Sequence, residues 1–389
     1  MKTGFGHASV ERFRGLRHIA RPAGPIEKCR SRRVSGENVG EPADRLRHLR
    51  ERVRQEAPAS APHIGVSAQV CAWNGLPPNV YILRRGRKLR CAWVRTTDPP
   101  GPVLRQIRVE VDGAAAWGIP EGDDIALTDG RRVAVADAAY LPPCEPTKIL
   151  ATHLTYRSRA VEYRMASLPE APSYFMKPPS SLSAHRRPVA RPRGCRFLNY
   201  EGEIAVVIGE PCSGVRVADA LRYVRGYTMA NDWGIHDFRH ADRGSMLRVK
   251  GQDGFCPLGP ALVDADDVDP DDLTVRTFLN GELVQEGHTG KDLMFSFAYQ
   301  IADLSRLITL EPGDVLLTGT PANSRPVEPG DVVVVEVDGI GRLENAVVEL
   351  DRELEPVGEQ PAVSGNTLHV ALALPEDEAE RAAAAGASE

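Results

Sequence analysis

A chain of 389 residues with 42% hydrophobic and 26% charged side chains has the composition of a globular protein and the length for one large core or two domains. Its formal charge of −5 conceals an asymmetry: residues 1–56 hold 14 Lys/Arg against 7 Asp/Glu, so the remainder is acidic, which argues against nucleic acid as the main partner. No apolar run reaches the roughly 18 residues that span a bilayer, no secretory h-region opens the chain, and the seven cysteines (29, 71, 91, 144, 195, 212 and 256) never form Cys-x-x-Cys, so a soluble cytoplasmic protein with reduced thiols and no membrane partner is expected.

Residues 1–62 are rich in Arg, Gly, Ser and Pro and poor in aliphatic side chains, and they read as a disordered basic extension. Acidic residues at 37, 41, 44, 51 and 56 weaken the alternative of an Arg-rich transit peptide. Residues 63–145 alternate short β-like runs (80–83, 89–94, 107–111, 125–127 and 132–135) with Gly/Pro turns, the grammar of a small β-rich N-terminal domain. Residues 141–146, Leu-Pro-Pro-Cys-Glu-Pro, form a link to a larger domain expected over 146–351. There a first strand (148–156) is followed by helix-compatible residues 157–166, then by a short strand broken at a proline pair. A helix is expected at 217–224 and another at 297–307, where apolar residues recur at helical spacing. Asn280-Gly281 is the favoured type I′ hairpin dipeptide, and two Pro-Gly-Asp turns each precede a β-branched run. The fold class expected is α/β and β-rich, a mixed, mainly antiparallel β-sandwich roll with a few helices. Residues 352–389, rich in Pro, Glu and Ala, read as a disordered tail.

The candidate chemistry lies between 199 and 257. Glu201 and Glu203 sit two apart at the head of a Val/Ile-rich run, so both carboxylates are expected on one strand face. Two adjacent negative charges need a cation, or one must stay protonated. With Asp232 they make a set of hard oxygen donors suited to Mg²⁺, Mn²⁺ or Ca²⁺ rather than Zn²⁺, and no Cys/His set competes. The same spacing also suits a solvated strand face.

The ordered words Glu-Gly-Glu-Ile-Ala-Val-Val-Ile-Gly (201–209), Asn-Asp-Trp (231–233), Lys-Gly-Gln-Asp-Gly-Phe-Cys-Pro-Leu-Gly-Pro (250–260), Asn-Gly-Glu (280–282) and Leu-Glu-Pro-Gly-Asp-Val-Leu-Leu-Thr-Gly-Thr-Pro (310–321) resemble the fumarylacetoacetate hydrolase family, in particular its 2-hydroxyhepta-2,4-diene-1,7-dioate and 5-carboxymethyl-2-hydroxymuconate isomerases. The resemblance implies a homodimeric, Mg²⁺-dependent enzyme (or one using Mn²⁺ or Ca²⁺) acting on a small oxo-acid through a metal-stabilised enolate. It implies Glu201, Glu203 and Asp232 as metal ligands and Lys250 as a catalytic ammonium. Tyr156, Lys177 and Thr320 are implied on the substrate side.

Two departures bear on the reaction. His236 and Arg239 stand where the family has Arg and Gln, which keeps a cationic donor in the pocket and suits an anionic substrate such as a dicarboxylate. Arg159 replaces the histidine of a His-x-x-Glu water-activating dyad, while Glu162 remains. Arginine stays protonated and cannot act as the general base, and an i,i+3 ion pair would also weaken Glu162 as a base. Isomerisation, with or without decarboxylation, is therefore expected over C–C hydrolysis of the acylpyruvate type. A non-catalytic ligand-binding module on the same fold is the alternative of another class.

Overall fold

The strand Gly202–Ile208 is buried at all seven positions, which explains why it reads as an unbroken apolar run rather than an alternating one. Its Ile204, Val206 and Ile208 enter one core cluster, and Ala205 and Val207 enter another on the opposite face. It lies inside a sheet and is covered on both sides.

The structure, a computed structural model, describes residues 80–85, 88–93 and 105–386. The chain divides into two units, 1–96 and 97–389. In the first, Val80–Arg85 and Lys88–Trp93 pair as an antiparallel hairpin, in agreement with the strands expected there. The extension 1–62 lies outside the described residues.

In the second unit, ten strands run in one path of a twelve-stranded sheet: Arg132–Ala134, Asp124–Leu127, Ala114–Glu121, Arg105–Val111, Cys256–Asp264, Val224–Asn231, Gly202–Ile208, Val315–Leu317, Ile149–His153 and Ser173–Lys177. Leu182–Ala184 joins Cys256–Asp264 in parallel, and Ala139–Leu141 joins Arg105–Val111. A five-stranded sheet packs against this one in the order Val189–Arg191, Gly341–Glu349, Val332–Val337, Thr274–Leu279, Glu282–His288. The mixed two-sheet roll matches the expected fold class. Asn280 and Gly281 have φ of +51° and +90°, as a type I′ hairpin turn requires. No helix among the described residues is long and apolar enough to cross a membrane.

Two expectations need correction. Residues 105–141 are β-rich but are not a sheet of their own: Ile107 pairs with Ala261, and Ala184 and Ala261 complete the cluster around Ile107, Val109 and Ile125. Pairing there removes an open edge from Cys256–Asp264. The helix expected at 217–224 is present over Val217–Tyr223, as a 3₁₀ helix. The tail is ordered over helices Gly365–Leu372 and Glu376–Gly386. A capping box at Ser364 and Thr367 starts the first helix, and Leu368, Ala371 and Ala379 bury against Phe197. An alanine face is too weak a pattern to stand out in a sequence, but it suffices against one aromatic ring.

Asp314, in the turn before Val315–Leu317, ties that strand to its parallel neighbour Ile149–His153. Its carboxylate accepts from the N–H groups of Thr147 (3.1 Å), Lys148 (3.0 Å) and Glu311 (2.7 Å) and pairs with the Lys148 ammonium at 2.5 Å. Burial alone would raise this carboxyl, but Lys148 and the N–H donors hold it below the usual range. The stabilisation is therefore present above the unfolded-state value and fades as pH falls through the folded one. Asp314→Ala should lower stability by about 2–3 kcal/mol at pH 7 in chemical denaturation, with a gap that narrows in acid. Equal stability of the two proteins at pH 7 would refute this role.

Candidate active site

The antiparallel ladder between Gly202–Ile208 and Val224–Asn231 ends at the pair Gly202↔Asn231. Just beyond it, the Asp232 N–H donates to the Glu201 carbonyl (2.8 Å) and the Glu201 N–H donates to Asn231 Oδ1 (2.8 Å). Glu201 thus precedes the strand instead of lying in it, and the end of the ladder aims it at Asp232. One carboxylate oxygen from each of Glu201, Glu203 and Asp232 lies within 4.8 Å of the others.

Three cations surround this cluster. Lys250 Nζ lies 2.7 Å from Glu201 Oε2 and 2.9 Å from Asp232 Oδ2, and donates to the Asp232 carbonyl at 2.7 Å. Arg159 reaches Glu201 Oε1 at 3.1 Å, and Lys177 pairs with Asp232 Oδ1. Gly234 makes room for Lys250, since a Cβ there would come 3.0 Å from its Cε. Burial would discharge Lys250, but Asp232 and Glu201 hold its ammonium above the usual lysine range. Burial would likewise raise Asp232, and Lys177 with Lys250 keep it low.

Glu203 differs. It makes no ion pair among the described residues, and its Oε2 accepts the Gly319 N–H at 2.7 Å. Burial, then Asp232 and Glu201, push its carboxyl well above the usual range. A buried carboxylate lacking a counter-ion beside two others is a donor set that fits a hard divalent cation. Gly319 has φ of +97°, and a Cβ there would fall 1.9 Å from Thr155 Oγ1, so the close backbone approach to Glu203 requires glycine.

A cavity of about 490 Å³ opens over the cluster and is lined by Arg159, His236, Arg239 and Thr320 as well as the carboxylates and Lys250. Thr320 Oγ1 accepts from Gln285 Nε2 at 3.0 Å, which fixes its hydroxyl. His236 is buried and held neutral by burial and then by Arg239, whose Nη1 lies 3.5 Å from its Nδ1.

Three expected residues lie elsewhere. Tyr156 is wholly buried, with its ring against Gly287, because it precedes the helix Arg157–Glu162 and faces the core. Lys177 is also fully buried, and its Nζ turns to Asp232 and to the Phe255 carbonyl (3.0 Å), so it supports a ligand instead of lining the cavity. Glu162 faces Arg159 (2.7 Å), Arg325 (2.7 Å) and the Asn323 N–H (3.0 Å). Burial would raise Glu162, but the two guanidiniums hold it below the usual range.

The cavity also recruits residues that sequence reasoning passed over, chiefly His153, Tyr163, Arg164 and His369. His153 is pushed down to about 4 by burial and then by Lys250 and Arg239. Its place at the end of the first strand was the one available signal, since no motif surrounds it.

Residues 148–348 match the fumarylacetoacetate (FAA) hydrolase C-terminal family. A 4-hydroxyphenylacetate degradation bifunctional isomerase/decarboxylase of Salmonella dublin is 44% identical over 201 residues, 51% of this chain and 46% of the relative. The chain spans about half the length of the curated relatives it matches. A 5-carboxymethyl-2-hydroxymuconate delta-isomerase of Mycobacterium smegmatis is similar in structure, with a TM-score of 0.58 and 36% identity over 64% of this chain and 100% of that one. A maleylpyruvate hydrolase from Sphingobium sp. SYK-6, solved with manganese(II) and pyruvate, gives a TM-score of 0.54 at 28% identity, over 63% of this chain and 99% of that one. On the family match over residues 148–348, together with the fold and the carboxylate site, this chain belongs to the fumarylacetoacetate hydrolase family.

Proposed function

We propose that the protein is a divalent-metal-dependent isomerase of 2-hydroxydienoate and 2-oxo diacids formed in aromatic-compound breakdown, with decarboxylation as a related outcome. The named isomerases and isomerase/decarboxylases among its relatives support the substrate class. The observation that carries the choice of reaction is the saturation of Glu162, whose carboxylate is occupied by Arg159, Arg325 and a backbone N–H. A carboxylate so engaged is a poor base for activating water, and the arginine beside it cannot take its place. That arrangement disfavours C–C hydrolysis.

Glu201, Glu203 and Asp232 would hold the cation, which supplies Lewis-acid polarisation of a 2-oxo group when bound. Lys250 presents an ammonium beside the site, where negative charge develops on the substrate oxygen. His153 lines the cavity as a neutral imidazole, held so by burial and then by Lys250 and Arg239, and adds no charge of its own to the site. The Thr320 hydroxyl accepts from Gln285 and keeps its own proton for a substrate carboxylate. A homodimer and a cytoplasmic location complete this reading.

Glu203→Ala should cut Mg²⁺-dependent turnover about 100-fold or more while the melting temperature stays close to that of the parent. Parental activity at limiting metal would remove Glu203 from the site. A second test sets hydroxymuconate isomerisation beside fumarylpyruvate-type hydrolysis, in the wild type and in Arg159→His. The wild type should isomerise, and restoring histidine should raise hydrolysis at least several-fold. Efficient hydrolysis by the wild type, with no gain in the variant, would overturn the isomerase reading.

A further inference from the structure

The family match ends at residue 348, yet the cavity wall continues beyond it: His369, Val370 and Glu376 line the same space as Glu201, Asp232 and Lys250. They come from the two C-terminal helices. The first helix and its flanking residues are tied to both sides of the site. On one side, Tyr163 Oη donates to the Val370 carbonyl (3.2 Å), Arg164 donates to the Ala373 carbonyl (3.1 Å), and the Tyr163 and His369 rings meet at 5.4 Å. On the other side, the Ala362 N–H donates to the Asp237 carbonyl (2.9 Å), and the Thr367 hydroxyl donates to the His236 carbonyl (3.2 Å). Asn199 Nδ2 donates to the Ala371 carbonyl at 2.9 Å and anchors the helix from beneath. The segment therefore bridges the helix that carries Arg159 and the turn that carries His236 and Arg239.

These contacts fix the wall in place. His369 Nδ1 lies 2.7 Å from the Leu374 carbonyl, a contact that orients the ring. Gly365 packs against Glu380 of the second helix so closely that a Cβ there would fall 2.2 Å from its carboxylate. Leu368 and Ala371 are buried in the small core with Phe197, whereas His369 and Val370 are only half-buried and line the cavity.

We propose that His369 and Val370, on the C-terminal helix Gly365–Leu372, are specificity-determining residues that limit the length of the oxo-acid this cavity accepts. The proposal rests on the reading of the site as one for 2-oxo diacids, and it concerns residues outside the family match. An acid chelated at the carboxylate cluster extends into the cavity, and its far end meets this wall. Shortening the wall should favour longer acids, and thickening it should exclude them.

The test measures binding of a ladder of 2-oxo diacids by calorimetry at fixed Mg²⁺: oxaloacetate, 2-oxoglutarate and 2-oxoadipate. The full-length chain is compared with Val370→Trp and His369→Ala, each first checked by circular dichroism and melting temperature. Val370→Trp should weaken 2-oxoadipate at least tenfold and oxaloacetate less than threefold, and His369→Ala should tighten 2-oxoadipate relative to oxaloacetate. If Val370→Trp does not fold, Val370→Ile gives the same ordering with a smaller amplitude. Equal changes across the ladder would mean a merely structural role and would overturn the proposal, as would no change at all. Turnover of hydroxymuconate is assayed in parallel. A length-dependent shift in binding without turnover would sustain the wall and refute the isomerase reading. Turnover with no length-dependent shift would refute the wall alone, and a wild-type protein that binds none of the three acids would overturn both.

Discussion

The structure depends on holding three carboxylates together out of water. Glu201, Glu203 and Asp232 offer oxygens within 4.8 Å of one another, and Glu203 and Asp232 are almost wholly buried. Such a cluster is costly unless charge balances it. Lys250 bridges two of the acids, Lys177 supports Asp232, and Arg159 reaches Glu201. Glu203 receives a single backbone N–H and no cation among the described residues. Burial beside the other two acids pushes the Glu203 carboxyl well above the usual range, a strain that either a proton or a divalent ion relieves.

The roll exists to place that cluster. Gly202–Ile208 and Val224–Asn231 are buried nearly throughout, so their register is fixed from both faces and a slip of one residue would exchange two packed cores. The ladder therefore ends at a defined pair, and the acids lie at or just past that end. The second sheet contributes through Gln285, which holds the Thr320 hydroxyl and also donates to the Pro321 carbonyl at 2.8 Å. Positional precision in the site thus derives from buried strands, of which Gly202–Ile208 also carries Glu203.

Local signals were legible in the sequence wherever one residue type settles the conformation. Asn280-Gly281 marked its hairpin, the run 332–337 marked a strand, and the paired glutamates marked the acidic cluster. What could not be read was direction. Tyr156 and Lys177 each lie within or beside an expected element, yet one faces the core and the other turns beneath Asp232. Neither choice follows from spacing, because both depend on which neighbour arrives from far along the chain. The order of residues 365–386 was hidden for a similar reason. Its burial rests on Leu368, Ala371 and Ala379 meeting Phe197, a contact spanning more than 160 positions. Arg159 and Glu162, by contrast, were readable as a pair from their i,i+3 spacing, and the structure joins them at 2.7 Å.

The charge pattern of the cavity carries the argument about substrate one step further. Arg239 lines the cavity half-buried and makes no ion pair with a carboxylate among the described residues; its Nη1 lies 3.5 Å from Nδ1 of the neutral His236. Burial, the largest influence on it, works against its charge. A guanidinium placed this way is half of an ion pair, and its geometry suits a planar carboxylate. On the proposed reading, the acid cluster takes the oxo-acid end of the substrate through its cation, and Arg239 takes a second carboxylate. On that reading a mono-acid of the same length would leave the guanidinium without a carboxylate, so the site would select for a diacid through what a competitor fails to satisfy. An arginine where the resemblance implies glutamine would then be more than a change in donor, because a neutral amide imposes no such penalty.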